Sequence, residues 1–241
     1  MDGADLAGLA ANVQALDGPD KVTGAARFTF DVGLPGMLHA KVLRSPHAHA
    51  RIVGIDTRRA AALPGVACIV TGADAKDLPD PLYGVFVRDQ PVLPWDKVRY
   101  VGDMVAAVAA VDEATAFQAL ALIDVRYAPL PALMTMDDAE APGAPLLFDW
   151  PAAGIAVPVG AGATSLKEPR PNVLYEFGFR NGDAAAALAV SAHVFTDRFV
   201  FSRINHFHLE PHVNVARVTG EQIISGVLLA SHRVKISGSF R

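Results

Sequence analysis

The 241-residue chain holds one cysteine, Cys68, so it has no internal disulfide and no thiolate cluster. Iron–sulfur centres, which take several thiolates, are excluded from this chain alone. So little cysteine fits a reducing compartment, and the expected location is cytoplasmic. Cys68 lies in the apolar run VACIV and reads as a small buried hydrophobe. Charge is sparse as well: charged residues make up 19% and the formal net charge is -4. That balance gives no electrostatic case for nucleic acid or an anionic membrane. Long apolar runs are missing too. The best, MVAAVAAV at 104–111, stops at Asp112 and Glu113, short of the roughly 20 residues a membrane span needs. The opening MDGADLAGLAANVQALDGPDK is acidic and lacks the positive region of a secretory signal.

What is present is a dense series of short elements, in a chain that is 51% hydrophobic. Alternation of Phe28 and Phe30 around Thr29 predicts a strand, followed by a turn at LPG (34–36). MLHAKVL (37–43), RIVGID (51–56) and VACIVT (66–71) predict three more. Asp56 can cap a short helix through TRRAAAL, ended by Pro64 and Gly65. KVRYVGDMVAAVAAV (97–111) gives two strands around Gly102. Asp112 then suits the N-cap of EATAFQALALI, with Phe117, Leu120 and Ala121 on one helical face. DVRYAPL returns to strand. Few short helices among many strands make an α+β pattern rather than regular βαβ winding.

Residues 137–171 are rich in proline and glycine and predict a linker that runs over a surface. Beyond it, NVLYEFGFR (172–180) reads as a strand and AAAALAVSA as a helix capped by Asp183. Residues 193–218 read as a long β-rich passage.

The sharpest chemical signal is NHFHLEPHV (205–213), which sets His206, His208, Glu210 and His212 at strict alternation. On a strand these share one face. Imidazole and carboxylate suit zinc or iron, but four alternate strand residues span roughly 20 Å, so only a subset could reach one ion. A further ligand could come from His47 or His49 in SPHAHARI. Ser45, His47 and Asp56 have the residue types of a nucleophilic triad without the glycine pattern of a nucleophile elbow. PVGAGATS (158–165) is glycine-rich but lacks the P-loop lysine.

A longer pattern organises these pieces. KVTGAARFTFDVGLPGMLHAKVLRSPHAHARIVGIDTRRAAALPGV (21–66), DQPVLPWDKVRYVGDMVAAVAA (89–110) and ALIDVRYAPLPAL (121–133) resemble the start of the molybdenum-binding subunit of the xanthine dehydrogenase and aldehyde oxidase family. The resemblance implies a lead-in at 1–19, an α/β hammerhead domain at 20–136 and a linker at 137–171. It implies the incomplete, β-rich beginning of a molybdopterin-binding domain at 172–241. NVLYEFGFRNGDAAAALAVSAHVFTDRF and INHFHLEPH are similar to the lead into that domain.

By this resemblance His206, Phe207 and Glu210 stand beside a molybdenum–molybdopterin cofactor and support it without ligating metal. Partner subunits would carry 2Fe-2S clusters and FAD. The reaction implied is hydroxylation of an aldehyde or electron-poor aromatic carbon, with water as the oxygen source. Where xanthine dehydrogenases place a glutamine near the molybdenum, this chain has Ile204, a departure that points to other relatives. The family's GGGFG-type cofactor motif and its C-terminal catalytic glutamate do not occur here, and after Val218 the expected Trp-Ser-Ser-Thr-Gln strand is absent. The expectation is an N-terminal piece or split subunit, not catalytic alone. The remaining molybdopterin-binding polypeptide would be a further partner. The alternative is an independent His/Glu metal-binding or interaction module on the same fold.

Overall fold

A computed structural model of the chain describes residues 15–84, 88–148, 172–173, 182–202, 204, 212–219, 222–229 and 232–239. It divides into two compact units, Gly36–Thr196 and a second made of Met1–Pro35 with Asp197–Arg241.

In the second unit the first helix, α1 (Gly18–Thr23), ends at Gly24 with φ +74°. Residues Thr29–Asp31 then form a 3-10 turn, where the alternating phenylalanines predict a strand. The turn wins because the Asp31 carboxylate accepts the Phe28 amide at 2.9 Å, a local hydrogen bond that competes with extended pairing. This unit also holds an antiparallel meander of β9 (Val215–Thr219), β10 (Gln222–Leu229) and β11 (His232–Ser239), in order β11-β10-β9. The expected β-rich passage is narrower than predicted: residues 193–202 carry no strand.

The Gly36–Thr196 unit is built on two three-stranded antiparallel sheets. The first has order β1-β7-β3, from β1 (His39–Arg44), β3 (Val66–Thr71) and β7 (Met104–Ala110). The second has order β6-β2-β8, from β2 (Ala50–Asp56), β6 (Lys97–Val98) and β8 (Asp124–Pro129). A two-residue pairing, β4 (Leu82–Tyr83) with β5 (Gln90–Pro91), stands apart. Three of the long pairings carry bulges, at Leu43/Arg44, Ile52/Gly54 and Val66/Cys68, which add twist and bend the strands.

Strand β7 explains itself. Its sequence MVAAVAA is apolar on both faces, as a central strand requires, and Val105, Ala106, Val108 and Ala110 are buried. The short helices α2 (Arg58–Ala61) and α3 (Gly72–Lys76) flank β3. The main helix, α4 (Glu113–Leu122), packs on β1 and β7. Asp112 caps it, accepting the Thr115 amide at 2.7 Å. The helix buries Ala116, Ala119 and Leu120, so of the predicted face only Leu120 points inward. Phe117 is half exposed and lies beneath the Lys41 ammonium at 5.0 Å, while Ala121 faces outward. The small alanines let the helix backbone approach the sheet closely, which a phenylalanine there would prevent.

Ile55 and Val125 pack against both buried clusters, one around Ala106, Val108 and Leu120 and one around Ala50, Val98 and Val105. They join the sheets into one core. Cys68 corrects another expectation: it is exposed. It sits on edge strand β3 beside the bulge, where the register shift turns its side chain out of the core. Downstream, α5 (Met136–Glu140) is capped by Thr135 and Asp138, and α6 (Ala184–Val190) by Asp183, as predicted for the latter. No helix among the described residues is long and apolar enough to cross a membrane.

Candidate functional site

The residues predicted to meet a cofactor, His206, Phe207 and Glu210, lie outside the described residues, as does His208. Of that neighbourhood, Ile204 and His212 are described, and both are exposed. The geometry in view concerns the other candidates, Ser45, His47, His49 and Asp56, and the groups around them.

Strand β1 runs into the turn 45–49 and then into β2. Ser45 is buried; its hydroxyl accepts the His47 amide at 3.0 Å and donates to the His47 carbonyl at 3.1 Å. The Ser45 amide donates to the Asp103 carbonyl and the Gly102 amide to the Ser45 carbonyl, both at 2.8 Å, knitting the β1–β2 turn to the β6–β7 turn. The serine is a turn-former here, with its hydroxyl committed to local backbone.

The two imidazoles have separate partners. The His47 ring lies tilted at 59° against Tyr127, with centroids 4.8 Å apart. The His49 ring is buried, and its Nδ1 stands 2.7 Å from the Pro131 carbonyl. A carbonyl only accepts, so Nδ1 carries the proton. That leaves Nε2 buried and without a partner among the described residues. Asp56 is bound by Arg58 at 2.5 Å, and that guanidinium holds its carboxyl well below the usual carboxylate range. No Ser–His–Asp arrangement forms from these residues. Among the described residues no three His, Cys, Asp or Glu side chains converge to hold a metal ion.

A second group of buried polar residues escaped the sequence reading. Asp103 is buried and accepts the Arg99 amide at 3.0 Å; burial pushes its carboxyl up. Burial also raises the Tyr100 and Tyr127 phenols, helped at both by the nearby Asp103 charge. Lys97 is buried, and its Nζ donates to the Leu146 carbonyl at 2.7 Å. Arg99 donates from Nε to the Leu147 carbonyl at 2.7 Å and from Nη1 to the Lys97 carbonyl at 2.8 Å. It pairs with Asp96 at 2.9 Å and lies 4.8 Å over Phe148. The visible signal was the alternation of Lys97 and Arg99 about the apolar Val98. Its partners lie some fifty residues on, where no local pattern reaches.

These buried groups chiefly fix backbone. They bring together no nucleophile with a base and offer no ligand set, so they do not fit a molybdenum–pterin group.

Residues 23–131 match the family described as aldehyde oxidase and xanthine dehydrogenase, a/b hammerhead domain. The chain is 36% identical over 200 residues to a probable xanthine dehydrogenase subunit of Bacillus subtilis, across 83% of this chain and 24% of that protein. It is 30% identical over 227 residues to a nicotinate dehydrogenase large molybdopterin subunit of Eubacterium barkeri, across 94% of this chain and 48% of that protein. In structure it resembles a reconstituted CO dehydrogenase from Oligotropha carboxidovorans, with a TM-score of 0.54 and 40% identity over 57% of this chain and 17% of that one. The chain thus spans between about a quarter and a half of the length of these curated relatives.

Proposed function

We propose that the chain, which matches the aldehyde oxidase and xanthine dehydrogenase hammerhead domain at residues 23–131, is one part of the large subunit of a molybdenum hydroxylase. The observation that carries this reading is that the likeness runs past the hammerhead: 94% of the chain aligns with a molybdopterin subunit. The hammerhead contributes shape and contact rather than proton transfer, because its buried polar groups are engaged in holding backbone.

The assembled enzyme would hydroxylate an aldehyde or an electron-poor aromatic carbon with oxygen from water. A molybdenum–molybdopterin group, held mostly by sequence outside this chain, supplies that oxidation when bound. His206, Phe207 and Glu210 are the residues of this chain proposed to stand beside it, on the strength of the INHFHLEPH segment. The described residues offer the group no ligands. Partners carrying 2Fe-2S clusters and FAD would take the electrons away.

Purification without a tag from the native source tests the proposal. The chain should come with polypeptide completing the molybdopterin-binding domain, with molybdenum by elemental analysis, and with flavin and iron–sulfur absorbance. His206→Ala should lower the molybdenum content of that assembly. Stoichiometric zinc or iron in the isolated chain, lost in a His206→Ala/His208→Ala double variant, would overturn the proposal in favour of a self-contained metal module.

A further inference from the structure

We propose that Lys97, Arg99 and Asn172 form a clamp that fixes the path of the chain where it leaves the hammerhead's second sheet, with Asn172 as the positioning residue that closes it. The clamp stands on hydrogen bonds within one unit and does not depend on the family reading. Lys97 and Arg99, two residues apart at β6, donate to the consecutive carbonyls of Leu146 and Leu147, each at 2.7 Å. The Asn172 side chain completes the set. Its Oδ1 accepts the Leu147 amide at 2.9 Å, and its Nδ2 donates to the carbonyls of Ala139 and Pro145, both at 3.0 Å.

Residues 141–148 belong to no helix or strand, so their backbone groups need other partners once they are covered. Side chains take that role here. One asparagine amide serves three backbone groups on a stretch 25 to 33 residues away. Ala139 belongs to α5, so part of the clamp also satisfies a carbonyl at the end of that helix. Burying a lysine and an arginine is costly unless both are well bonded, and both are bonded to the same short stretch.

Asn172 is the only non-glycine residue with positive φ, at 59°, among the described residues. Asparagine is tolerated in that conformation for reasons unrelated to any clamp. Glycine accepts the same backbone even more readily but has no amide side chain. Asn172→Gly therefore separates the two roles.

Residue-resolved hydrogen exchange on the full chain is the test. With the clamp, the Leu147 amide is protected in the wild type. Its protection falls by about tenfold or more in both Asn172→Gly and Asn172→Ala, while the β2–β8 ladder amides, such as Ile55, exchange as before. Unchanged Leu147 protection in Asn172→Gly would show that the position serves backbone conformation only and would overturn the proposal. So would a wild-type Leu147 amide that exchanges as fast as unprotected chain. Arg99→Lys gives a second reading: it keeps the charge but loses the Nε bond, and protease cleavage near 146–148 should speed up.

Discussion

The buried imidazole of His49 donates its Nδ1–H to the Pro131 carbonyl at 2.7 Å, while the His49 carbonyl takes the Leu130 amide at 2.9 Å. One residue just before β2 thus anchors, by side chain and by backbone, the point where the chain leaves β8. The ring's other nitrogen is buried without a partner among the described residues, so the residue's contribution rests on Nδ1.

Asparagine can place its amide N–H near the position of the histidine Nδ1 proton. His49→Asn should therefore keep the Pro131 bond, and His49→Ala should lose it and leave a cavity. We expect His49→Ala to cost about 1–3 kcal/mol and His49→Asn clearly less, measured by urea unfolding. Equal losses would mean that the ring's volume, not its donor, matters at this position.

Asp103 makes stability depend on pH in a defined direction. Burial raises its folded pKa above the unfolded value. The folded state then holds the proton more tightly, so this stabilisation is complete below the unfolded pKa and is lost as pH rises through the folded one. An asparagine in its place would keep an oxygen for the Arg99 amide and could not ionise. Asp103→Asn should melt higher than wild type at pH 7 to 8, and the gap should shrink as pH falls toward about 4. A gap that stays constant, or widens on acidification, would remove Asp103 as the source.

Gly72 tests close packing rather than charge. A Cβ there would collide with the Pro94 carbonyl oxygen, reach 2.5 Å from the Pro94 carbonyl carbon and 2.8 Å from the Trp95 Cα, all backbone atoms. No flexible side chain can swing away. Gly72→Ala should cost about 2–3 kcal/mol or more. At Gly33 φ is ordinary and a Cβ would meet no atom within 4 Å. It serves as control, with Gly33→Ala expected within about 0.5 kcal/mol of wild type. Similar stabilities for the two variants would show that the backbone at Pro94 yields.

Legibility in the sequence followed the range of the interaction. The apolar run of β7 and the Asp112 cap are set by neighbours a few residues apart, and both appear where the sequence predicts them. The Phe28/Phe30 alternation misled because the Asp31 carboxylate, three residues beyond Phe28, closes a tighter turn. Cys68 looked buried because its neighbours are apolar; a bulge on an edge strand, invisible to periodicity, turns it outward. On α4 Leu120 is buried as its periodicity predicts, while Phe117 and Ala121 are exposed and the small Ala116 and Ala119 take the inward positions beside it. The Lys97 and Arg99 bonds to 146–147 and the reach of Asn172 depend on contacts across 25 to 49 residues, which no local pattern carries. The family resemblance at 21–133 succeeded for a different reason: it is a match of order and identity along the whole domain.

At Asp112 the sign of the pH dependence reverses. Its carboxylate accepts the Thr115 amide at the first turn of α4, and that bond holds its pKa below the usual carboxylate value. A depressed folded pKa gives stability that is present above the unfolded pKa and lost as pH falls through the folded one, opposite to Asp103. Asp112→Ser keeps a capping oxygen without the titration, whereas Asp112→Ala keeps neither. At neutral pH Asp112→Ala should lower the melting temperature by roughly 3–6 °C, and Asp112→Ser should lower it less. Toward acid the wild type should lose its advantage over Asp112→Ser as the carboxylate takes up its proton. Because α4 lies on β1 and β7, Ala119 and Leu120 amide exchange should quicken in Asp112→Ala before the β7 amides respond. A variant whose helix and sheet loosen together, with no dependence on pH, would show that the cap contributes nothing separable from the core.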